Sequence, residues 1–140
     1  MDSVSNKLNQ SDMSKFKSLS QVVSDPKKAL FVSKVKINLI NCDIDKIDEI
    51  PEPYRHVERL HLSHNRISNL EGLYQFDNIS YLSLCYNQIK DWRELLRLRK
   101  KEALVQLTIK GNPLEAHPNH LYLIIDRFPN LKKVDDLKIA

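Results

Sequence analysis

The sequence predicts an α/β fold: a right-handed solenoid of about four repeats, with a short parallel sheet on its concave face and a helical C-terminal cap. Two observations carry this. Leu60, Leu62, Asn65 and Ile67 return 22 residues later as Leu82, Leu84, Asn87 and Ile89. Between the two statements, apolar residues keep a step of three at Leu70, Leu73, Phe76 and Ile79. A single amphipathic helix would not restate its pattern in this way. A third observation closes the stack: Leu121, Ile124, Ile125 and Phe128 follow Pro118 at helical spacing.

The elements follow in order. Residues 1–30 form a polar N-terminal segment, with the first ten expected to be disordered. Phe16, Leu19, Val22 and Val23 can make a short capping helix, and Asp25 before Pro26 reads as a second helix start. Repeats occupy residues 31–114. Val35, Ile37 and Leu39 alternate as one buried strand face. Cys42, Ile44, Ile47 and Ile50 then take the offsets that Asn65, Ile67, Leu70 and Leu73 hold in the next copy. A fourth copy reads Leu104, Leu107, Ile109 and Asn112, preceded by a short helix over Trp92, Leu95, Leu96 and Leu98. The spacings 42 to 65, 65 to 87 and 87 to 112 all fall within about 20 to 29 residues. Residues 115–140 form the cap, where Leu131 and Val134 can add a last strand.

One repeat cannot bury its apolar face alone, so the copies must stack. Leu60, Leu62, Leu82, Leu84, Leu107 and Ile109 are therefore the expected core. The Asn column has its own reason. Where the chain leaves each strand, buried backbone N–H and C=O groups lack a sheet partner, and a side-chain amide can donate and accept at once. Asn65, Asn87 and Asn112 form this structural ladder, which Cys42 breaks at the first repeat.

Composition narrows the function classes. The chain has 140 residues, 41% hydrophobic and 29% charged, which fits one soluble domain. No apolar run approaches the roughly 18 residues of a membrane span, and the start MDSVSNKLNQSD lacks a signal's apolar centre. An intracellular, cytoplasmic setting is expected, with Cys42 and Cys85 reduced. A net charge of +4 permits an acidic partner. Glycine occurs only at Gly72 and Gly111, so no glycine-rich loop cradles a phosphate.

The motif LxLxxNxIxxL at 60–70 and the C-terminal GNPLEAHPNHLYLIIDRFPNLKKVDD resemble the leucine-rich repeat family. The resemblance is to its short-repeat intracellular class, of the protein phosphatase 1 regulatory subunit type with a C-terminal cap. It covers about Val35 to Asp136. Around IKDWRELLRL and GNPLE the chain is similar to axonemal dynein light chain 1 and to centrosomal and basal-body proteins of the class, which also occurs in a spliceosomal particle. This implies a protein-binding solenoid in a cytoskeletal, ciliary or centrosomal assembly. The alternative is a nuclear ribonucleoprotein subunit or a phosphatase regulator.

Strand residues that do not point inward make up the concave surface. Lys36, Asn38, Arg59, His61, His64, Tyr81, Tyr86 and Lys110 are the candidate partner contacts there, because Arg and Tyr commonly carry interface energy. The expected partner is a protein, such as a helix or a motor or cytoskeletal subunit, and the chain is expected to be monomeric by itself. Arg93, Arg97, Arg99, Lys100 and Lys101 form a basic ridge, read chiefly as a solvated face. Without aromatic stacking residues beside it, nucleic acid is not the expected partner. His61, His64 and Cys85 diverge along their strands, and His117 with His120 has no third ligand nearby, so no metal is expected. No nucleophile or carboxylate pair converges, which predicts neither catalytic residues nor a cofactor.

Overall fold

The computed structural model describes residues 15–139. Strand β1 (Lys17–Ser18) leads into helix α1 (Leu19–Val23), followed by the strands β2 (Lys36–Asn38), β3 (Ile44–Lys46), β4 (Arg59–His61), β5 (Tyr81–Ser83) and β6 (Gln106–Thr108). Helix α2 (His120–Arg127) and strands β7 (Lys133–Val134) and β8 (Leu137–Lys138) complete the chain. The main sheet runs β2-β4-β5-β6-β7-β8, parallel until the last antiparallel pair, and β1 pairs with β3 separately.

The repeat strands β2, β4, β5 and β6 are three residues long because only the alternating apolar positions demand extended backbone. The in-register partners Ile37, Leu60, Leu82 and Leu107 are fully buried, and Leu39, Leu62, Leu84 and Ile109 form a second buried column beneath them. Val35 departs from the expected face. It is 55% exposed because its register position faces out in the other repeats too, where Glu58 and Val105 are exposed and Ser80 is half-buried.

The chain then turns out of β2, β4, β5 and β6 through a left-handed residue, with a second one after β2 at Asp43, φ 56°. Asn41, His64, Tyr86 and Gly111 have φ of 57°, 57°, 56° and 81°, and Asp135 repeats the turn in the cap at 52°. This sharp exit leaves backbone groups inside the stack, and the asparagine amides reach them. Asn87 Oδ1 accepts from Ile67 N–H at 3.0 Å, while its amide donates to the carbonyls of Leu62 and Leu84, both at 3.0 Å. Asn65 and Asn112 repeat this, on Cys42, Ile44 and Leu39 in one case and on Ile89, Leu84 and Ile109 in the other. The Cys42 thiol instead turns to its own segment, 3.5 Å from the Ile40 carbonyl.

The return legs are 3-10 turns rather than α-helices. Over Trp92–Arg97, where a short helix is expected, Leu95 is buried and Trp92 and Leu96 half-buried. A 3-10 turn rises about 2 Å per residue and closes the leg with fewer residues than a helix would need. At the N-terminus, Ser18 and Gln21 form a capping box that starts α1 at Leu19, so Phe16 lies outside the helix and packs on Arg66. Leu19, Val22 and Val23 seal the first repeat, and Ser20 ties the helix to Asp48. Burial pushes the Asp48 carboxyl up, but the hydrogen bonds from Ser20 outweigh it and hold it below the usual carboxylate range. The expectation of a disordered first ten residues lies outside the described residues.

Between two return legs, His56 Nε2 lies 2.7 Å from Glu52 and its Nδ1 2.9 Å from Asp77. Hydrogen bonds to Glu52, then Asp77, raise the His56 pKa. Its contribution to stability is thus present below the ordinary pKa of about 6.5 and is lost as pH rises through the higher folded value. The melting-temperature gap between the native chain and His56→Gln should narrow from pH 5.5 to pH 8.5. A gap independent of pH would refute this linkage.

Candidate protein-binding face

Because Leu60, Leu82 and Leu107 point inward, their neighbours must point out of the sheet. The first outward row reads Lys36, Arg59, Tyr81, Gln106 and Lys133 across the strands. The second reads Asn38, His61, Ser83 and Thr108. Neighbouring strands lie about 4.8 Å apart, so side chains in one row are within contact reach of the next. No acidic residue stands in either row.

Two ring pairs occupy the centre. The His61 and Tyr81 rings lie 4.7 Å apart, tilted by 31°. His64 and Tyr86 stack at 4.7 Å and 17°. The second pair depends on the left-handed exit turns, which place both side chains side by side at the rim. Gly111 continues that row with the ring of Tyr86 against its backbone; a Cβ there would collide with the ring. Sequence alternation alone does not show this third row, because the exit turn breaks the period of two.

The His61 pKa is lowered, first by burial and then by Lys36 and Arg59. Its Nε2 is buried without a hydrogen-bond partner, as is Oδ1 of the adjacent Asn38. Below the rings, Ser83 Oγ joins Ser63 at 2.6 Å and Thr108 at 2.8 Å. These hydroxyls satisfy one another, leaving the rings and cations as the accessible chemistry. Tyr86 and Arg59 are exposed, Tyr81 and His61 half-buried. Lys110 is exposed at the far end, next to Gly111.

The basic ridge does not come together as a free surface. Arg93 pairs with Asp91 at 2.7 Å and Arg97 with Glu94 at 2.9 Å, so that among the described residues Arg99 and Lys100 are its exposed charges outside an ion pair. Lys101 is half-buried, 3.4 Å from the Leu98 carbonyl. The acids at 91 and 94 stand within the same turn as the arginines, so local pairing competes with any outside anion. Among the described residues, no group of three or more His, Cys, Asp or Glu side chains is placed to hold a metal ion.

Residues 55–97 match the family described as Leucine Rich repeats (2 copies). The fold is a leucine-rich repeat solenoid. Over 105 residues this leucine-rich repeat chain is 30% identical to U2 small nuclear ribonucleoprotein A' of Candida albicans, a match covering 74% of this chain and 45% of that protein. It is 28% identical over 115 residues to dynein axonemal assembly factor 11 of Trypanosoma brucei brucei, covering 66% and 30%. The crystal structure of the Drosophila melanogaster SNF/U2A' complex contains a similar fold, with a TM-score of 0.65 and 26% identity, over 84% of this chain and 68% of that one. The leucine-rich repeat chain spans less than half the length of these curated relatives.

Proposed function

We infer that this leucine-rich repeat chain is a non-catalytic module that holds a protein partner on its concave face. The observation that carries this is the outward ring and cation rows, Lys36, Arg59 and Tyr81 in register above His61 and Asn38, with no acid among them. His64, Tyr86 and Lys110 extend the contact along the rim. Aromatic and arginine side chains on a rigid sheet lose little freedom on binding, which is why such groups commonly dominate interfaces.

The setting we propose is a cytoskeletal, ciliary or centrosomal assembly, supported by the IKDWRELLRL segment and by similarity to the axonemal assembly factor. A nuclear ribonucleoprotein is the second reading, favoured by the U2 A' relative and by the SNF/U2A' complex, in which U2A' is paired with SNF. Localisation of a tagged chain separates them: basal bodies or axonemes against nuclear speckles. Phosphatase regulation is the remaining variant of the second reading.

Arg59→Glu combined with Tyr81→Ala should reduce partner capture about a hundredfold, since each truncated anchor costs on the order of 1–3 kcal/mol. Both side chains face away from the core, so the melting temperature should hold. Unchanged capture by the folded double variant would remove the concave face from consideration.

A further inference from the structure

The concave face continues into a groove at its N-terminal edge. Val32 bridges antiparallel to Ile37, and Ser33 N–H donates to the Lys36 carbonyl at 2.8 Å, so the 3-10 turn Pro26–Phe31 doubles back beside β2. None of the six turn residues is buried. Leu30 is 96% exposed, Phe31 48% and Ile40 47%. Between turn and strand these residues wall a groove that also includes Asn38. Leu30 and Phe31 add nothing to the core from this position, and covering them would remove apolar area from water.

Charge at the groove has one sign. Lys28 Nζ lies 6.0 Å from the Phe31 ring centroid, and Lys36 and Arg59 stand at the concave end. The turn, β2 and β4 contain no acidic residue; Asp25, which precedes the turn, is engaged as its cap on Lys27 N–H. Within the groove, Asn38 Oδ1 is a buried acceptor without a donor. An occupant must therefore bring a bulky apolar group, negative charge and a hydrogen-bond donor close together. A peptide chain carries all three. Leu30 and Ile40 are aliphatic and Phe31 is the groove's single aromatic ring, whereas single-stranded nucleic acid stacks successive bases on several such rings, which disfavours it here.

The geometry points to an acidic protein segment with a bulky apolar anchor seated in the groove between Phe31 and Ile40, its carboxylates on Lys28, Lys36 and Arg59. This rests on the concave-face reading and specifies the partner's chemistry. The interaction weakens with salt, because its ion pairs are exposed.

Selection of displayed random 16-residue peptides against the full chain tests it. The expected result is enrichment of Asp and Glu around a Leu, Phe or Trp, and a loss of about tenfold in the affinity of the selected peptides for Leu30→Ser or Phe31→Ser. Thermal melting confirms that these variants fold. Peptides that respond to Arg59→Glu but not to Leu30→Ser or Phe31→Ser would overturn the groove while leaving the concave face intact. Peptides indifferent to all three would overturn both. Selected peptides without an acidic bias, tighter binding of a uridine homopolymer at the groove, or a concentration-dependent dimer abolished by Leu30→Ser would each overturn the assignment.

Discussion

Asn87→Ala is expected to lower the unfolding free energy by about 2–4 kcal/mol, because one buried N–H loses its partner outright, at about 1–3 kcal/mol, and two buried carbonyls each lose one of two donors. The N–H is that of Ile67, and the carbonyls are those of Leu62 and Leu84 in two successive repeats, which still accept from Asn65 at 2.9 Å and Asn112 at 2.8 Å. Asn87 is 5% exposed, so water does not replace the amide without opening the stack. Against a total stability of about 5–15 kcal/mol, the loss is a large fraction. The melting temperature should fall by about 10 °C or more. Asn69→Ala is the control: that side chain is exposed and caps a single N–H, of Glu71 at 2.7 Å, worth about 1 kcal/mol. Urea unfolding of both variants checks the claim. Equal midpoints would mean that the ladder is not what joins the repeats.

The ladder and the core are legible in the sequence because each rests on residue identity recurring at a fixed offset. Leu60 and Leu82 share a strand register, and Asn65 and Asn87 meet equivalent backbone groups. Outward positions such as Arg59 and Tyr81 follow from alternation within a strand. What the period does not encode is contact between unlike segments. Arg93 and Arg97 read as free charge until their turn folds Asp91 and Glu94 against them. Val35 fits the strand pattern, yet it holds the same outward register position as Glu58 and Val105. The groove beside β2 is hidden for a related reason. PKKALF looks like a helix start with an apolar end, and only the Val32–Ile37 bridge shows that Leu30 and Phe31 stay outside the core. The His64–Tyr86 stack depends on left-handed turns that non-glycine residues rarely adopt, so residue type gives no warning of it.

Gly72 shows the same limit most sharply. Gly72→Ala is expected to cost about 2–3 kcal/mol, the upper part of the range for overpacking, because the obstacle is backbone. In the sequence Gly72 is an ordinary turn residue. In the fold, the turn Glu71–Gln75 lies directly on the preceding repeat, and a methyl group on Gly72 would overlap the carbonyl oxygen of Ile47. The two legs are held at this separation by Gln75. Its Nε2 donates to the carbonyls of Asp48 and Gly72, both at 2.9 Å, and its Oε1 accepts from Ile50 N–H at 3.0 Å. An alanine must therefore push apart legs that Gln75 holds together, straining its two hydrogen bonds to Asp48 and Ile50. The Ile47 side chain is also near, so a double-mutant cycle with Ile47→Ala distinguishes the two obstacles. If the carbonyl is the barrier, shortening Ile47 gives no rescue and the two costs add. A clear rescue would place the clash on the side chain. A Gly72→Ala variant as stable as the native chain would show that the legs can separate freely, and that the spacing between repeats is set by the asparagine ladder alone.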